Sequence, residues 1–167
     1  IIGYGKIGSQ LSVLAEDMGM EVYYYDVLEK LALGIARKCH SLKELLKKAD
    51  IVTVHVDGSG QNTNMIGERE FRQMKDGVIF LNLSRGFVVD IDALVNSINS
   101  GKVRGASVDV FPYEPVSNDE KFVSRLQGLP NVVLTPHIGG STDEAQRDIA
   151  NFVPRKMIDF INSGNSY

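Results

Sequence analysis

Short apolar runs and helical patterns alternate along the whole 167-residue chain. Strand-like runs occupy residues 21–25, 51–56, 78–83, 103–110 and 132–134. Between several of them stand helix-capping residues followed by a helical spacing of apolar side chains, at Ser41, Asp90 and Ser141. Apolar strands that alternate with helices are typical of a parallel sheet covered on both faces. The sequence therefore predicts an α/β fold built on a doubly wound parallel sheet.

The first and last helices are predicted in more detail. Apolar side chains at helical spacing predict a helix over residues 7–18 that ends at Gly19. The last helix opens at Ser141 with Glu144, and Pro154 is expected to kink or restart it, because proline lacks an amide donor. The side chains expected to face inward on this helix are Ala145, Ile149, Phe152 and Val153.

Length, charge and cysteine content narrow the class of protein. The chain is long enough for one domain with a core, and we assign residues 1–167 to one domain. A net charge of −3 without a basic tract argues against nucleic acid or an anionic membrane as the main partner. No apolar run reaches about 18 residues, and these residues contain no charged-then-apolar pattern, so we expect neither a membrane span nor a leader. A single cysteine, Cys39, excludes an internal disulfide and gives no metal-ligand spacing, so we expect a cytoplasmic protein without a metal.

The beginning of the chain leaves almost no room for a first strand. Ile1 and Ile2 lead at once to Gly3, whereas a strand usually needs about five residues. We therefore expect a fold truncated at its first strand and a chain that is a fragment of a longer protein.

The stretch Gly3-Tyr4-Gly5-Lys6-Ile7-Gly8 is a G-x-G-x-x-G motif at a strand-to-helix turn. The first glycine allows the tight turn, the second lets a pyrophosphate approach the backbone, and the third lets the helix pack on the strand. The helix N-terminus then offers free amides to phosphates. Alone the motif is weak evidence for a dinucleotide site, because glycine turns between strand and helix are common.

Asp26 strengthens this prediction. It follows Gly8 by 18 residues and ends the next strand, where a carboxylate can accept hydrogen bonds from both ribose hydroxyls. A carboxylate there would repel a 2′-phosphate, which favours NAD over NADP as the cofactor. The alternative is that Asp26 only forms a turn.

Three polar residues follow other strands at the edge where ligands bind in an open parallel sheet. They are Arg85, Asp109 and His137. Each has a simpler interpretation: Arg85 as a solvated loop cation, Asp109 as a cap or turn residue, and His137 as a satisfied turn histidine. Together they match the needs of hydride transfer to a 2-oxo acid, in which an arginine holds the carboxylate and a histidine supplies the proton. Glu114, between two prolines, is a candidate to orient the histidine, and its alternative is an ordinary surface turn.

Four motifs, GYGKIG, NLSRGFVVD, ASVDVFPYEP and LTPHIGGSTDEAQ, together resemble the NAD-binding domain of the D-2-hydroxyacid dehydrogenases over essentially all 167 residues. Within that family, YYYDVLEKLALGIA adds a likeness to the branch that oxidises 3-phosphoglycerate toward serine. The resemblance implies a Rossmann-type fold, NAD as cofactor and a small 2-hydroxy or 2-oxo acid as substrate. It also implies a homo-oligomer paired through the cofactor domain, and a substrate domain that is absent here.

The resemblance also implies residue roles. Arg85 matches the substrate-binding arginine, His137 the acid/base, and Glu114 the glutamate paired with it. The residues expected at the cofactor are Gly3, Gly5, Lys6, Ile7, Gly8, Asp26, Leu83, Ser84, Arg85, Asp109, His137, Ile138, Gly139 and Gly140. Without the substrate lobe, we expect this chain to bind NAD weakly and to turn over poorly.

One loop departs from the family's pattern. Where the family usually carries a proline after the His-Val pair, and often a threonine a few residues later, this chain has Asp57-Gly58-Ser59-Gly60 after His55-Val56, with Thr63 beyond. This predicts a change in cofactor affinity or in loop order, and His55 is interpreted as structural.

Three other functions stay open at this point. The first is a dehydrogenase for D-lactate, glycerate or glyoxylate. The second is an NAD-sensing binding protein such as the family's transcriptional corepressors. The third is a cofactor domain without activity of its own.

Overall fold

The computed structural model describes residues 1–117 and 119–164. They form two compact units, Ile1–Thr135 and Pro136–Tyr167, the second of which is described as far as residue 164. The six strands of the first unit are β1 (Tyr23–Tyr24), β2 (Arg37–Lys38), β3 (Ile51–Val54), β4 (Val78–Asn82), β5 (Val103–Val108) and β6 (Val132–Leu134). Its helices are α1 (Lys6–Asp17), α2 (Leu42–Lys48), α3 (Glu68–Gln73) and α4 (Ile91–Asn99).

All strand pairs are parallel. One sheet has the order β3-β4-β5-β6 and the other pairs β1 with β2. Ile2 joins the two sheets, because it bridges Tyr25 on one side and Val54 on the other. Its amide donates to the Thr53 carbonyl at 2.9 Å, and its carbonyl accepts from the His55 amide at 2.7 Å.

The order across both sheets is therefore β2, β1, Ile2, β3, β4, β5 and β6. The strand order reverses at Ile2, as expected at the ligand-binding crevice of a doubly wound sheet. This confirms the predicted fold, with the first strand represented by Ile2.

The main core lies between the sheet and helices α2, α3 and α4. The sheet contributes the fully buried side chains of Val52, Val54 and Phe80 to this core. The helices contribute those of Leu45 and Leu94. Phe71 of α3 packs edge-on against Phe80 with ring centroids 5.1 Å apart. A second, smaller cluster contains Ile1, Tyr4, Val22, Tyr24 and Ala36.

The predicted helix boundaries of the first unit are largely confirmed. Ser41 and Asp90 cap α2 and α4 through side-chain oxygens that accept backbone amides. Gly19 and Gly101 adopt left-handed φ values of 82° and 77° just beyond α1 and α4, where glycine meets no steric penalty. The buried face of α1 is not the apolar stripe that a surface helix usually has. Ser12 is buried, while Leu14 is 60% exposed.

Four strands end earlier than predicted. β1 stops at Tyr24, β3 at Val54, β4 at Asn82 and β5 at Val108. An apolar or aromatic residue follows each strand end within two positions, at Tyr25, Val56, Leu83 and Val110, so composition alone could not locate the strand end. The residues beyond form loops at the carboxyl edge of the sheet, where the candidate residues Arg85 and Asp109 lie.

The described residues of the second unit contain one helix, α5 (Asp143–Ser163), capped by Thr142 rather than Ser141. The helix runs through Pro154, so the predicted restart is wrong, while the alternative of a kink stays a prediction. The prediction of an inward-facing apolar side is also wrong. Ile149, Phe152 and Val153 are 49%, 53% and 46% exposed, because no second element among the described residues of this unit covers them. Among the residues that the structure describes, no helix has both the length and the apolar character needed to cross a membrane.

Candidate functional site

Two of the three glycines of the first turn are crowded by backbone atoms, and the glycine between them is not. A Cβ on Gly3 would lie 2.6 Å from the His55 carbonyl oxygen, and one on Gly8 would lie 2.2 Å from the Gly3 carbonyl oxygen. A Cβ on Gly5, in contrast, would have no described atom within 4 Å. The first and third glycines are thus required by close packing, while the second faces open space. This is the arrangement that a dinucleotide's pyrophosphate needs.

The N-terminus of α1 opens beside this space. Gly5 is the N-cap, and among the described residues no side chain caps the helix. The first turn contains Lys6 and the exposed Ile7, and no acidic residue. Backbone amides and the helix dipole therefore favour an anion at this end.

Asp26 lies directly beyond β1 and is fixed by two backbone amides. Its Oδ2 accepts from the Tyr4 amide at 2.7 Å, and its Oδ1 accepts from the Leu28 amide at 2.8 Å. Each carboxylate oxygen can accept more than one hydrogen bond, so Asp26 keeps acceptor capacity for ribose hydroxyls. The carboxylate is therefore held next to the glycine turn in a fixed orientation.

The loop after β4 is built around the side chain of Asn82, which is 1% exposed. Its Nδ2 donates to the Arg85 carbonyl at 3.1 Å, and its Oδ1 accepts from both the amide and the hydroxyl of Ser84. Arg85 is exposed, and its guanidinium donates to the Ser84 carbonyl at 2.6 Å. Leu83 is 44% exposed on the same loop. Asn82 therefore fixes the backbone that carries Arg85.

A second loop packs directly against this one. A Cβ on Gly86 would lie 1.9 Å from the carbonyl carbon of Phe111 and 2.4 Å from the nitrogen of Pro112. Glu114 lies on this second loop, is exposed, and accepts a hydrogen bond from the Phe111 amide at 2.9 Å. The fold thus brings the loop of Arg85 and the loop of Glu114 into backbone contact.

Asp109 is 9% exposed at the end of β5. Its amide donates to the Asn82 carbonyl at 3.1 Å, and its Oδ1 accepts from the hydroxyl of Thr135, just beyond β6. Asp109 therefore links the ends of three neighbouring strands.

His137 lies in the second unit and has a left-handed backbone, with φ of 53°. Its carbonyl accepts from the Ser141 hydroxyl at 3.4 Å. Two hydrogen bonds close the turn that follows. The Ser141 amide donates to the Ile138 carbonyl, and the Gln146 side-chain amide donates to the Gly140 carbonyl. Residues 136–140, which include Gly139, are exposed. The pairing of His137 with Glu114 stays a prediction.

The loop that departs from the family pattern is organised by Asp57. Its Oδ1 accepts from the Ser59 amide at 3.1 Å and from Asn62 Nδ2 at 2.8 Å, ahead of a short 3-10 turn at Gly60–Asn62. A Cβ on Gly58 would lie 3.5 Å from Nε of Arg85, so this loop borders the arginine.

His55 lies on the same carboxyl edge, just beyond β3. Its Nε2 is 2.9 Å from the Thr53 hydroxyl, and burial lowers the pKa of His55 to about 4. A ring that stays neutral and hydrogen-bonds to Thr53, in the strand just before it, has the character of a structural histidine.

Sequence reasoning missed Asn82 and Gly86 as contributors to the site. Asn82 could have been noticed as an amide that ends an apolar strand directly before the candidate arginine. The role of Gly86 depends on Phe111, which is 25 residues away, and no local pattern points to that contact.

Comparison with known proteins adds an independent line of observation. The family described as "D-isomer specific 2-hydroxyacid dehydrogenase, NAD binding domain" matches residues 1–139. D-3-phosphoglycerate dehydrogenase of Haemophilus influenzae is 49% identical over 166 residues, which are 99% of this chain and 40% of that protein. A putative D-3-phosphoglycerate dehydrogenase of Schizosaccharomyces pombe is 52% identical over 174 residues, again 99% of this chain but 37% of the relative.

A solved structure agrees with the fold. The NAD-complexed D-isomer specific 2-hydroxyacid dehydrogenase of Lactobacillus delbrueckii ssp. bulgaricus superposes with a TM-score of 0.84 at 28% identity, over 98% of this chain and 53% of that one. The chain thus spans well under two thirds of the length of each of these proteins.

Proposed function

Because this chain belongs to the D-isomer specific 2-hydroxyacid dehydrogenase family and corresponds to its NAD binding domain, we propose that the protein that contains it oxidises a D-2-hydroxy acid with NAD. The substrate that we propose is 3-phosphoglycerate, with 3-phosphohydroxypyruvate as product, as a step toward serine. The observation that carries this choice is the 49% and 52% identity, over nearly the whole chain, to two relatives named for that substrate.

The glycine turn and Asp26 are the proposed cofactor contacts on the adenosine and pyrophosphate side. The open space at Gly5 supports a pyrophosphate there, next to the α1 amides, Lys6 and Ile7. The anchored carboxylate of Asp26 supports ribose recognition and selection of NAD over NADP. On the nicotinamide side, the proposed contacts are Leu83, Ser84, Arg85, Asp109, His137, Ile138, Gly139 and Gly140. A bound NAD would supply the acceptor for the hydride from C2 of the substrate.

The chain's own residues would then handle the carboxylate and the proton. The Arg85 guanidinium binds the substrate carboxylate through paired hydrogen bonds, a role supported by the fixed backbone at Asn82. His137 accepts the proton of the C2 hydroxyl as the carbonyl forms, and returns it in the reverse reaction. Glu114 orients the imidazole. The left-handed backbone of His137 supports this assignment, because a non-glycine residue in that region is uncommon and such conformations cluster at functional sites.

Three wider proposals accompany this one. Residues 1–167 serve as the cofactor domain, and a separate lobe of the whole protein binds the substrate phosphate, in keeping with the 40% of its relative that this chain spans. The protein forms a homo-oligomer through this domain, which is supported by exposed apolar side chains on and just after α1, such as Leu14 and Met18. It works in the cytoplasm, which suits the buried free thiol of Cys39.

A substrate panel tests the proposed reaction. Oxidation of NADH by the complete protein is followed at saturating cofactor with 3-phosphohydroxypyruvate, pyruvate, hydroxypyruvate and glyoxylate. We expect kcat/KM to be higher for the phosphorylated acid by at least about 100-fold, because a missing phosphate leaves its binding groups unpaired. Preference for an unphosphorylated acid would move the protein to another branch of the family. NADH binding without turnover of any of the four acids would contradict an enzymatic role and favour a sensor.

A further inference from the structure

Tyr4, the residue between the first two glycines, is almost completely buried, with 2% of its surface exposed. Its ring stacks on that of Tyr24, with centroids 3.8 Å apart and planes inclined by 21°. The hydroxyl lies 2.7 Å from Ser12 Oγ in α1 and accepts the Leu33 amide at 3.1 Å. Tyr4 therefore joins the glycine turn to helix α1 and to the loop that follows Asp26.

The direction of each hydrogen bond in this group follows from proton counting. Ser12 Oγ donates its one proton to the Ser9 carbonyl at 2.7 Å, so it must accept from Tyr4. The Tyr4 hydroxyl in turn donates to Ser12 and accepts from Leu33. The result is a directed chain from the Leu33 amide through two buried hydroxyls to the Ser9 carbonyl in the first turns of α1. Such chains strengthen their members by mutual polarisation.

The same tyrosine also holds Asp26 through its backbone, because its amide donates to Oδ2. The loop of residues 27–35 begins at that carboxylate and is fastened at three later points. Besides the Leu33 bond, the Tyr24 hydroxyl donates to the Lys30 carbonyl at 2.9 Å, and Glu16 accepts the Ile35 amide at 3.1 Å. Tyr24 is also the partner of Tyr4 in the ring stack. Two of the three hydrogen bonds that hold this loop, those to Lys30 and Leu33, therefore come from the tyrosine pair.

From this geometry we infer that Tyr4, through its buried hydroxyl and Ser12, is a positioning residue for the adenosine half of the cofactor. This inference rests on the proposed function, which places a dinucleotide at the glycine turn. The described contacts of the Tyr4 hydroxyl are with Ser12 of α1 and with Leu33 of the loop after Asp26, so we expect it to act on adenosine binding and on the discrimination between NAD and NADP. Both effects pass through the orientation of Asp26 and of the loop of residues 27–35.

The hydroxyl can be removed without changing the ring. In Tyr4→Phe the stack on Tyr24 is kept, but the Leu33 amide loses its acceptor and Ser12 loses its donor. Polar groups left without partners in a buried site are costly, and the loop can lower that cost by moving toward water. Movement of the loop loosens Asp26, the residue at which it starts.

The test compares Tyr4→Phe with the unmodified complete protein, using AMP as a probe of the adenosine half and NADH and NADPH as whole cofactors. We expect AMP to bind roughly three- to tenfold more weakly, as for the loss of one or two buried hydrogen bonds. The ratio of the dissociation constants of NADPH and NADH should fall by a similar factor, because a less firmly held Asp26 carboxylate repels the 2′-phosphate less. At saturating NADH, kcat should be unchanged.

Two further variants control this test. Tyr23→Phe removes a hydroxyl from the neighbouring strand position. Its one hydrogen bond among the described residues is with the exposed Glu21 at 3.3 Å, so this variant should leave AMP affinity unchanged. Ser12→Ala interrupts the chain one link further along and should weaken AMP binding in the same direction, by less. Hydrogen exchange at the Leu33 amide should accelerate in Tyr4→Phe and not in Tyr23→Phe.

The outcomes separate this inference from the proposed function. AMP affinity and cofactor preference within twofold of the unmodified protein in Tyr4→Phe would overturn the inference, while normal NADH binding in that same preparation would leave the proposed function intact. Failure of the unmodified protein to bind NADH would overturn the proposed function itself. Weaker AMP binding in Tyr23→Phe as well would assign the effect to general loosening of the strand.

Discussion

Gly86 lies so close to the backbone of Phe111 that a methyl group on its α-carbon would come within 1.9 Å of the Phe111 carbonyl carbon. This contact holds the loop that carries Arg85 against the loop that carries Glu114. Two candidate functional groups from distant parts of the sequence are therefore fixed by a position that tolerates only hydrogen as a side chain.

The first prediction concerns this contact. In Gly86→Ala the two loops must separate, and we expect the free energy of unfolding to fall by about 2–3 kcal/mol because the added methyl meets backbone atoms that cannot move independently. Turnover by the complete protein should fall with it. Urea denaturation measures the first effect. The matched control is Gly105→Ala, where the added methyl would lie 3.5 Å from the Asn131 carbonyl, an ordinary contact. Equal stability of the two variants would contradict the argument.

Asn82 gives a prediction about substrate binding. Its side chain bonds the Arg85 carbonyl and both donors of Ser84, so Asn82→Ala frees the backbone that aims the guanidinium. We expect KM for the 2-oxo acid to rise roughly tenfold, as for the loss of about 1–2 kcal/mol of positioning. The dissociation constant of NADH should change less. Asn96→Ala, on the exposed side of α4, is the control. A larger loss of NADH affinity than of substrate affinity would place Asn82 on the cofactor side instead.

His55 predicts how stability depends on pH. Burial lowers its pKa to about 4 in the folded chain, from an ordinary value near 6.5. Between these values the unfolded chain binds the proton more tightly, so stability falls as pH decreases from about 6.5 to 4. The full difference between the two pKa values would correspond to about 3 kcal/mol, and because the ring is only partly buried we expect a loss on the order of 2 kcal/mol.

The measurement is urea denaturation at pH 7.5 and pH 4.5. His55→Gln keeps a polar atom near Thr53 but cannot titrate, so its stability should depend less on pH than that of the unmodified chain. His40→Gln, at an exposed position, should keep the original pH dependence. The same slope in all three proteins would contradict a buried neutral histidine at this position.

Asp57 is predicted to order the loop that departs from the family pattern. Asp57→Ala removes two acceptor contacts, to the Ser59 amide and to Asn62, and should lower the free energy of unfolding by about 1 kcal/mol. Amide hydrogen exchange should accelerate at Ser59, with the strands of the sheet unaffected. Asp57→Asn keeps the Oδ1 acceptor and should resemble the unmodified chain. If Asp57→Asn were as damaging as Asp57→Ala, the negative charge and not the hydrogen bonds would order the loop.

The parts of the fold that could be predicted are those with a local physical cause. Alternating apolar runs and caps such as Ser41 and Asp90 led to the correct parallel sheet and to correct helix starts. The spacing of glycines at residues 3, 5 and 8 predicted a turn whose three positions have the different surroundings expected for a dinucleotide.

The parts that could not be predicted depend on distant partners. The Tyr4 hydroxyl meets Leu33, which is 29 residues away, and Gly86 meets Phe111. The exposure of Phe152 on α5 reflects which elements lie around a helix, and no periodicity carries that information. The ends of the strands could not be predicted either, because loop residues such as Val56 and Leu83 are as apolar as the strands before them.

The most direct measurement of the central proposal is the kinetics of His137→Ala in the complete protein, with 3-phosphohydroxypyruvate and NADH. If His137 carries the proton during hydride transfer, kcat should fall by about 100-fold or more, whereas the dissociation constant of NADH should stay within about twofold. A kcat close to that of the unmodified protein, with NADH still bound, would contradict the assignment of His137 as the acid/base.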